Sequence, residues 1–294
     1  MDTFEIIMGL VFLAGVLLFG LWLLKTSLGR NALADSMPRR NNMPLYLCLV
    51  PLFIWFGPVP LAVLITEGLA ADLEDWQRVF LNNSLYCIGA IVVIAVIVFL
   101  VRAGFARRLK GFGLNTRTIG KDFFAAFVNL LSVWPLMMAA MTLTIFFGKL
   151  IYGPEYQIPQ HQQLEMIKAY PQLQLRILTF VVAVVTAPVL EEMIFRGLIQ
   201  TVIRSILESR SSTPQAKKLG RHRFGAGRNR AWLSILISSG LFSMVHGNVP
   251  HWPALFVLGV CLGYAYEKSG SLFRPIFIHA FFNAVSIIFV LFEV

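Results

Sequence analysis

Apolar residues run in eight blocks along the chain, near residues 4–24, 45–66, 84–101, 123–148, 174–203, 231–247, 252–266 and 275–292, the seventh being the shortest. A helix crosses the roughly 30 Å hydrocarbon layer in about 20 apolar residues, so the pattern predicts an all-α chain of about eight spanning helices. The stretches between the blocks alternate in charge. Lys and Arg number four in 25–44, six in 102–121, eight in 204–230 and two in 267–274, twenty of the chain's twenty-five. The other connections hold only Arg78, Lys149, Lys168 and Arg176, and one of them carries Glu67, Asp72, Glu74 and Asp75. By the positive-inside rule the four basic loops lie in the cytoplasm and both termini lie outside.

Composition sharpens this reading. Of 294 residues, 57% are hydrophobic and 14% charged, and the mean hydropathy is +0.72, the profile of a polytopic membrane protein. A net charge of +10 would suggest nucleic acid in a soluble chain, but here the basic residues gather in loops as topology signals. Nucleic acid is therefore not an expected partner; membrane lipids are. Ile6–Leu24 has no basic stretch before it and no small-residue cleavage site after it, and is read as a retained anchor. Cys48, Cys87 and Cys261 fall inside apolar blocks without paired or metal-type spacing. The polar segment 155–171 reads as an outer connection with at most one short surface helix, and 208–230 as a mobile basic loop that attracts anionic headgroups. The organisation expected is four N-terminal helices over 1–150 and a four-helix core over 151–294.

Three polar groups interrupt the last four blocks. In the fifth, Pro188 is followed by Glu191, Glu192 and Arg196. A charge at the centre of a spanning helix costs about 2.5–3.5 kcal/mol even on the mildest scale, so each needs a reason. Glu192 and Arg196 lie one helical turn apart and pair, while Glu191 points about 100° away and has no partner in its own helix. Ala183 and Ala187 precede Glu191 at intervals of four and leave room for water or a neighbouring helix. Pro188 frees the carbonyl of Val184 and predicts a kink. In the sixth block Ser238, Phe242 and His246 repeat every four residues; in the eighth His279, Asn283 and Ser286 share a face. A carboxylate, two imidazoles and an amide on three helices can activate water and stabilise an oxyanion. His251 and His161 fall in outer turns and are read as structural. Depth poses a difficulty. Counted inward at about 1.5 Å per residue, Glu191 and His246 sit roughly 18–22 Å deep but His279 only about 6 Å past Pro275.

These motifs resemble the CAAX protease and bacteriocin-processing family of intramembrane proteases, whose best-known members are type II CAAX prenyl endopeptidases. The pattern of Glu-Glu-x-x-x-Arg, Phe-x-x-x-His and His-x-x-x-Asn is present as Glu191, Glu192 and Arg196, then Phe242 and His246, then His279 and Asn283. The resemblance covers 174–294, and the long basic loop between the first two motifs departs from it. It implies an endopeptidase acting on a membrane-associated or lipidated substrate, with Glu191 and His246 activating water, His279 and Asn283 binding the oxyanion, and Glu192, Arg196 and Phe242 in support. No cofactor is implied. Two alternatives stand beside it: a zinc enzyme with Glu191, His246 and His279 as ligands, although the H-E-x-x-H helix is absent, and a non-catalytic immunity or scaffold protein or proton-coupled carrier.

Overall fold

The computed structural model describes residues 3–39, 41, 43–70, 72–159, 162–209 and 226–291, and all eight apolar blocks in it are helical. Helices α1 (Thr3–Lys25), α4 (Asp75–Gly104) and α6 (Ile119–Tyr152) match the first, third and fourth blocks. The second block is broken at Gly57 into α2 (Leu45–Phe56) and α3 (Pro58–Leu69), because Pro58 offers no N–H to continue the first helix. A short α5 (Arg108–Phe112) follows α4, and α7 (Gln162–Ala169) is the surface helix expected in 155–171. The fifth block is one long helix, α8 (Leu173–Ser209), and the rest are α9 (Ala226–Met244), α10 (Trp252–Ser269) and α11 (Phe273–Leu291). Most of the basic loop 208–230, and His161, lie outside the described residues.

Six of these segments are long and apolar enough to cross a membrane, and Phe273–Phe289 is a shorter apolar helix. The chain is a polytopic all-α membrane protein. Helix α9 falls short because its N-terminal turns carry Arg228, Asn229 and Arg230, and it also holds Ser234, Ser238, Ser239 and Ser243, all buried. Each hydroxyl donates to a backbone carbonyl, so none is left unpaired away from water. The distribution of side chains is inside-out: Leu10, Phe53, Phe99 and Leu150 are exposed, as suits contact with lipid, while Glu192, Arg196, Gln200 and Arg204 are buried.

The basic stretches meet at one end of the bundle. Arg39 donates to the carbonyls of Gly111, Gly270 and Tyr266, with its guanidinium 3.9 Å above the Tyr266 ring. Leu272 N–H donates to Gly113 O at 2.9 Å, and Arg228 to Arg30 O at 2.7 Å. A pair between buried Asp122 and partly buried Arg274, at 2.9 Å, ties α6 to the start of α11. At the opposite end Asn82 bonds Glu67, and His251 Nε2 donates to the carbonyl of Pro159.

Candidate active site

Helix α8 supplies the acidic groups, and its backbone is not uniformly α-helical. Val182–Thr186 and Met193–Gln200 are π-helical, flanking Ala187–Glu192. In the first π turn Ala187 N–H bonds Val182 O, a step of five residues. The next donor in that register would be residue 188, which is proline and has none. Ala183 O therefore loses both helical donors open to it, since the N–H of Ala187 is already engaged. The expected break at Val184 is thus displaced: it is the Ala183 carbonyl that takes a donor from outside, Asn283 Nδ2 of α11 at 2.7 Å. The space beside Ala183 is filled by a neighbouring helix, with Ile287 packed against it.

Glu192 Oε1 accepts from Arg196 Nη1 at 2.8 Å, and both side chains are fully buried. The same oxygen lies 3.0 Å from His279 Nδ1, a bond the spacing of the motifs did not suggest. Arg196 also donates to Gly259 O at 3.2 Å and lies 4.4 Å over the Phe242 ring. Phe242 in turn meets His246 and His279 edge-on, at centroid distances of 4.6 and 5.6 Å, so one ring positions the guanidinium and both imidazoles.

The tautomers follow from the partners. His246 Nδ1 faces the Phe242 carbonyl at 2.7 Å, and a carbonyl only accepts, so the proton is on Nδ1. His279 Nδ1 faces a carboxylate paired with arginine and is likewise the donor. Each ring then turns its Nε2 toward Glu191 Oε2, His246 at 3.6 Å and His279 at 4.0 Å. Glu191 Oε2 is itself buried without a hydrogen-bond partner. Among the described residues no group of three or more His, Cys, Asp or Glu side chains is gathered so as to hold a metal ion.

The depth difficulty is resolved by α8 running past its neighbours. A Cβ on Gly197 would lie 2.1 Å from the Phe112 ring, and Gly113 bonds Leu272, so the start of α11 sits level with Gly197. Glu191 is six residues from Gly197, and His279 is six from Phe273, the first residue of α11, about 9 Å in each case. His246 is not inside a helix: α9 ends at Met244, and the histidine stands in the turn before Gly247, whose φ is +65°. Ser286 bonds the Phe282 carbonyl and does not join the cluster. Sequence reasoning missed Tyr86 of α4, which interacts electrostatically with Glu191 and packs edge-on against Trp55 at 4.8 Å. Asn83 and Cys87 flank it, contacting Thr179 and Thr186 of α8 at 3.1 and 3.7 Å.

Residues 173–285 match the type II CAAX prenyl endopeptidase Rce1-like family. This Rce1-like region holds every polar residue of the site except Tyr86, and bears out the resemblance carried by the three motifs. The chain is also 25% identical over 158 residues to an uncharacterized 24.3 kDa protein of Escherichia coli, an alignment covering 53% of this chain and 63% of that protein. It thus spans less than two thirds of that relative. No solved structure matches.

Proposed function

We propose that the chain is an intramembrane endopeptidase of the glutamate type, cleaving a peptide bond in a membrane-associated or lipidated substrate presented from the cytoplasmic face. The observation that carries the reading is the convergence of Glu191 Oε2 with the Nε2 atoms of His246 and His279, which lie 3.6 and 4.0 Å from that oxygen. Three such groups facing one another repel unless hydrogens sit between them, and one bound proton together with a water molecule supplies three. Glu191 and His246 then draw a proton from that water as its oxygen attacks the scissile carbonyl carbon, and return it to the amine nitrogen as the C–N bond breaks. The site contains two carboxylates and one guanidinium, so one further proton shared among Glu191, His246 and His279 neutralises it. On His279 that proton gives an Nε2–H donor to the oxyanion, with Glu192 supporting the charge from Nδ1. Asn283 uses one amide hydrogen on Ala183 O and has the second for the oxyanion.

The test compares membrane proteomes of cells carrying the native chain and Glu191→Gln. Uncleaved precursors accumulate with Glu191→Gln, and purified native protein keeps its activity in chelator. Normal processing by Glu191→Gln overturns the reading, whereas chelator inhibition with stoichiometric zinc moves it to a metalloprotease in which the two histidines and Glu191 draw together.

A further inference from the structure

On the far side of α10 from the acidic centre lies an apolar cavity of roughly 370 Å³, walled by Trp22 of α1, Ser132 and Leu136 of α6, Trp232 of α9, and Val260 and Tyr264 of α10. The two faces of α10 are distinct. The carbonyls of Gly259 and Gly263 accept from Arg196 and Gln200 on one side, while Val260 and Tyr264 face the cavity on the other. From Asn129 to Leu136 the α6 wall rises about 10 Å, so the cavity runs along the helices rather than across them. Its end nearer the basic face is aromatic: Trp22 Nε1 donates to Tyr264 Oη at 2.9 Å, and Trp232 stacks on the Tyr264 ring at 5.8 Å and 8°. One helical turn outward from each of these three rings stands a cation: Lys25 beyond Trp22, Arg228 beyond Trp232 and Lys268 beyond Tyr264. Lys25 and Lys268 are exposed, and the acid beside Lys268, Glu267, is turned away to Ser36 and Gln200 at 2.5 and 3.4 Å.

An apolar slot, an aromatic girdle and a ring of cations, in that order along the bilayer normal, are the layers of a phospholipid leaflet. We propose that this cavity binds one anionic glycerophospholipid, with an acyl chain between α1, α6, α9 and α10 and the phosphate against Lys25, Arg228 and Lys268. The lipid tail of a substrate is not the occupant, because α10 separates the cavity from Glu191 and a peptide anchored there cannot present its scissile bond to the carboxylate. The site is independent of the peptidase reading and is tested by binding alone.

Native mass spectrometry of the detergent-purified chain, titrated at low salt with dioleoyl phosphatidylglycerol and dioleoyl phosphatidylcholine, reads the site directly. One phosphatidylglycerol binds in preference to phosphatidylcholine. Lys25→Gln/Lys268→Gln, both on the surface, reduces that preference by about tenfold or more, since each cation near an anionic headgroup contributes about fivefold. Ser132→Phe fills the cavity and abolishes retention of both lipids; Leu236→Trp, on the facing wall, serves if that variant is not monodisperse. Equal binding of the two lipids, or a preference untouched by the lysine changes, overturns the headgroup assignment. Retention unaffected by either filling variant overturns the cavity assignment, and displacement of phosphatidylglycerol by a farnesylated cysteine peptide reassigns the pocket to substrate.

Discussion

Replacing Arg196 by Met separates the role of the buried ion pair from that of Glu191, the proposed catalytic carboxylate. Arg196 is fully buried and holds Glu192 at 2.8 Å, Gly259 O at 3.2 Å and the face of Phe242 at 4.4 Å. Methionine keeps the stem and removes the charge, leaving Glu192 with only His279. Breaking a buried pair from one side costs about 3–5 kcal/mol. At about 2 °C per kcal/mol for a chain of this size, the melting temperature falls by roughly 6–10 °C. Removing both charges in Arg196→Met/Glu192→Gln recovers about half of that loss, because no uncompensated charge then remains. Glu191→Gln behaves differently. Its side chain is 20% exposed and not fixed in an ion pair, so stability stays within about 0.5 kcal/mol of the parent while processing is lost. The assay is thermal unfolding in detergent followed by intrinsic fluorescence, with precursor cleavage scored on the same variants. The reasoning is refuted if Arg196→Met melts within about 2 °C of the parent, or if Glu191→Gln is destabilised as strongly.

Asn283→Leu strands the Ala183 carbonyl and lowers stability by about 1–3 kcal/mol, and Asn283→Ala slows turnover by about a hundredfold at nearly unchanged substrate affinity; weakened affinity with intact turnover sinks the oxyanion role. Gly197→Ala drives a methyl into Phe112 and costs about 1–3 kcal/mol, most of it recovered by Phe112→Leu; a native melting curve for Gly197→Ala would contradict the close approach. Cysteines placed at Asn115 and Lys268 label together from the cytoplasmic side, and cysteines at Asp75 and Glu155 from the outer side; any mixed pattern breaks the proposed topology.

The elements of the fold were legible because each depends on its own residues: apolar length makes a helix, and basic loops mark a side. Where proline and glycine adjoin, at Gly57–Pro58, one block became two helices. Within the site, contacts along one helix could be read and contacts between helices could not. Glu192 with Arg196 is written into a four-residue spacing, but the bond from His279 to Glu192 joins residues 87 positions apart. The depths of Glu191 and His279 disagreed only because each was counted from a helix end, and α8 runs beyond the level at which α11 begins. Tyr86 left no trace in spacing: it is a tyrosine in an apolar block, and only the packing of α4 against α8 brings it toward Glu191.

The two π turns of α8 also set its phase. A step of five residues in place of four takes up one residue more than an α turn without lengthening the path by a full rise, and each residue turns the helix by about 100°. Residues after the first π turn therefore face a direction that an unbroken α-helix from Leu173 would not give them. Deleting one residue from the regular α-helical stretch Leu173–Val181 leaves an intact, equally apolar helix with its carboxylates rotated about a quarter turn from His279, whereas deleting one within Val182–Thr186 converts the π turn to an α turn and keeps them in phase. In this helix the number of residues acts as an angle, so insertions and deletions in its α-helical stretches retune the site while leaving the span in place.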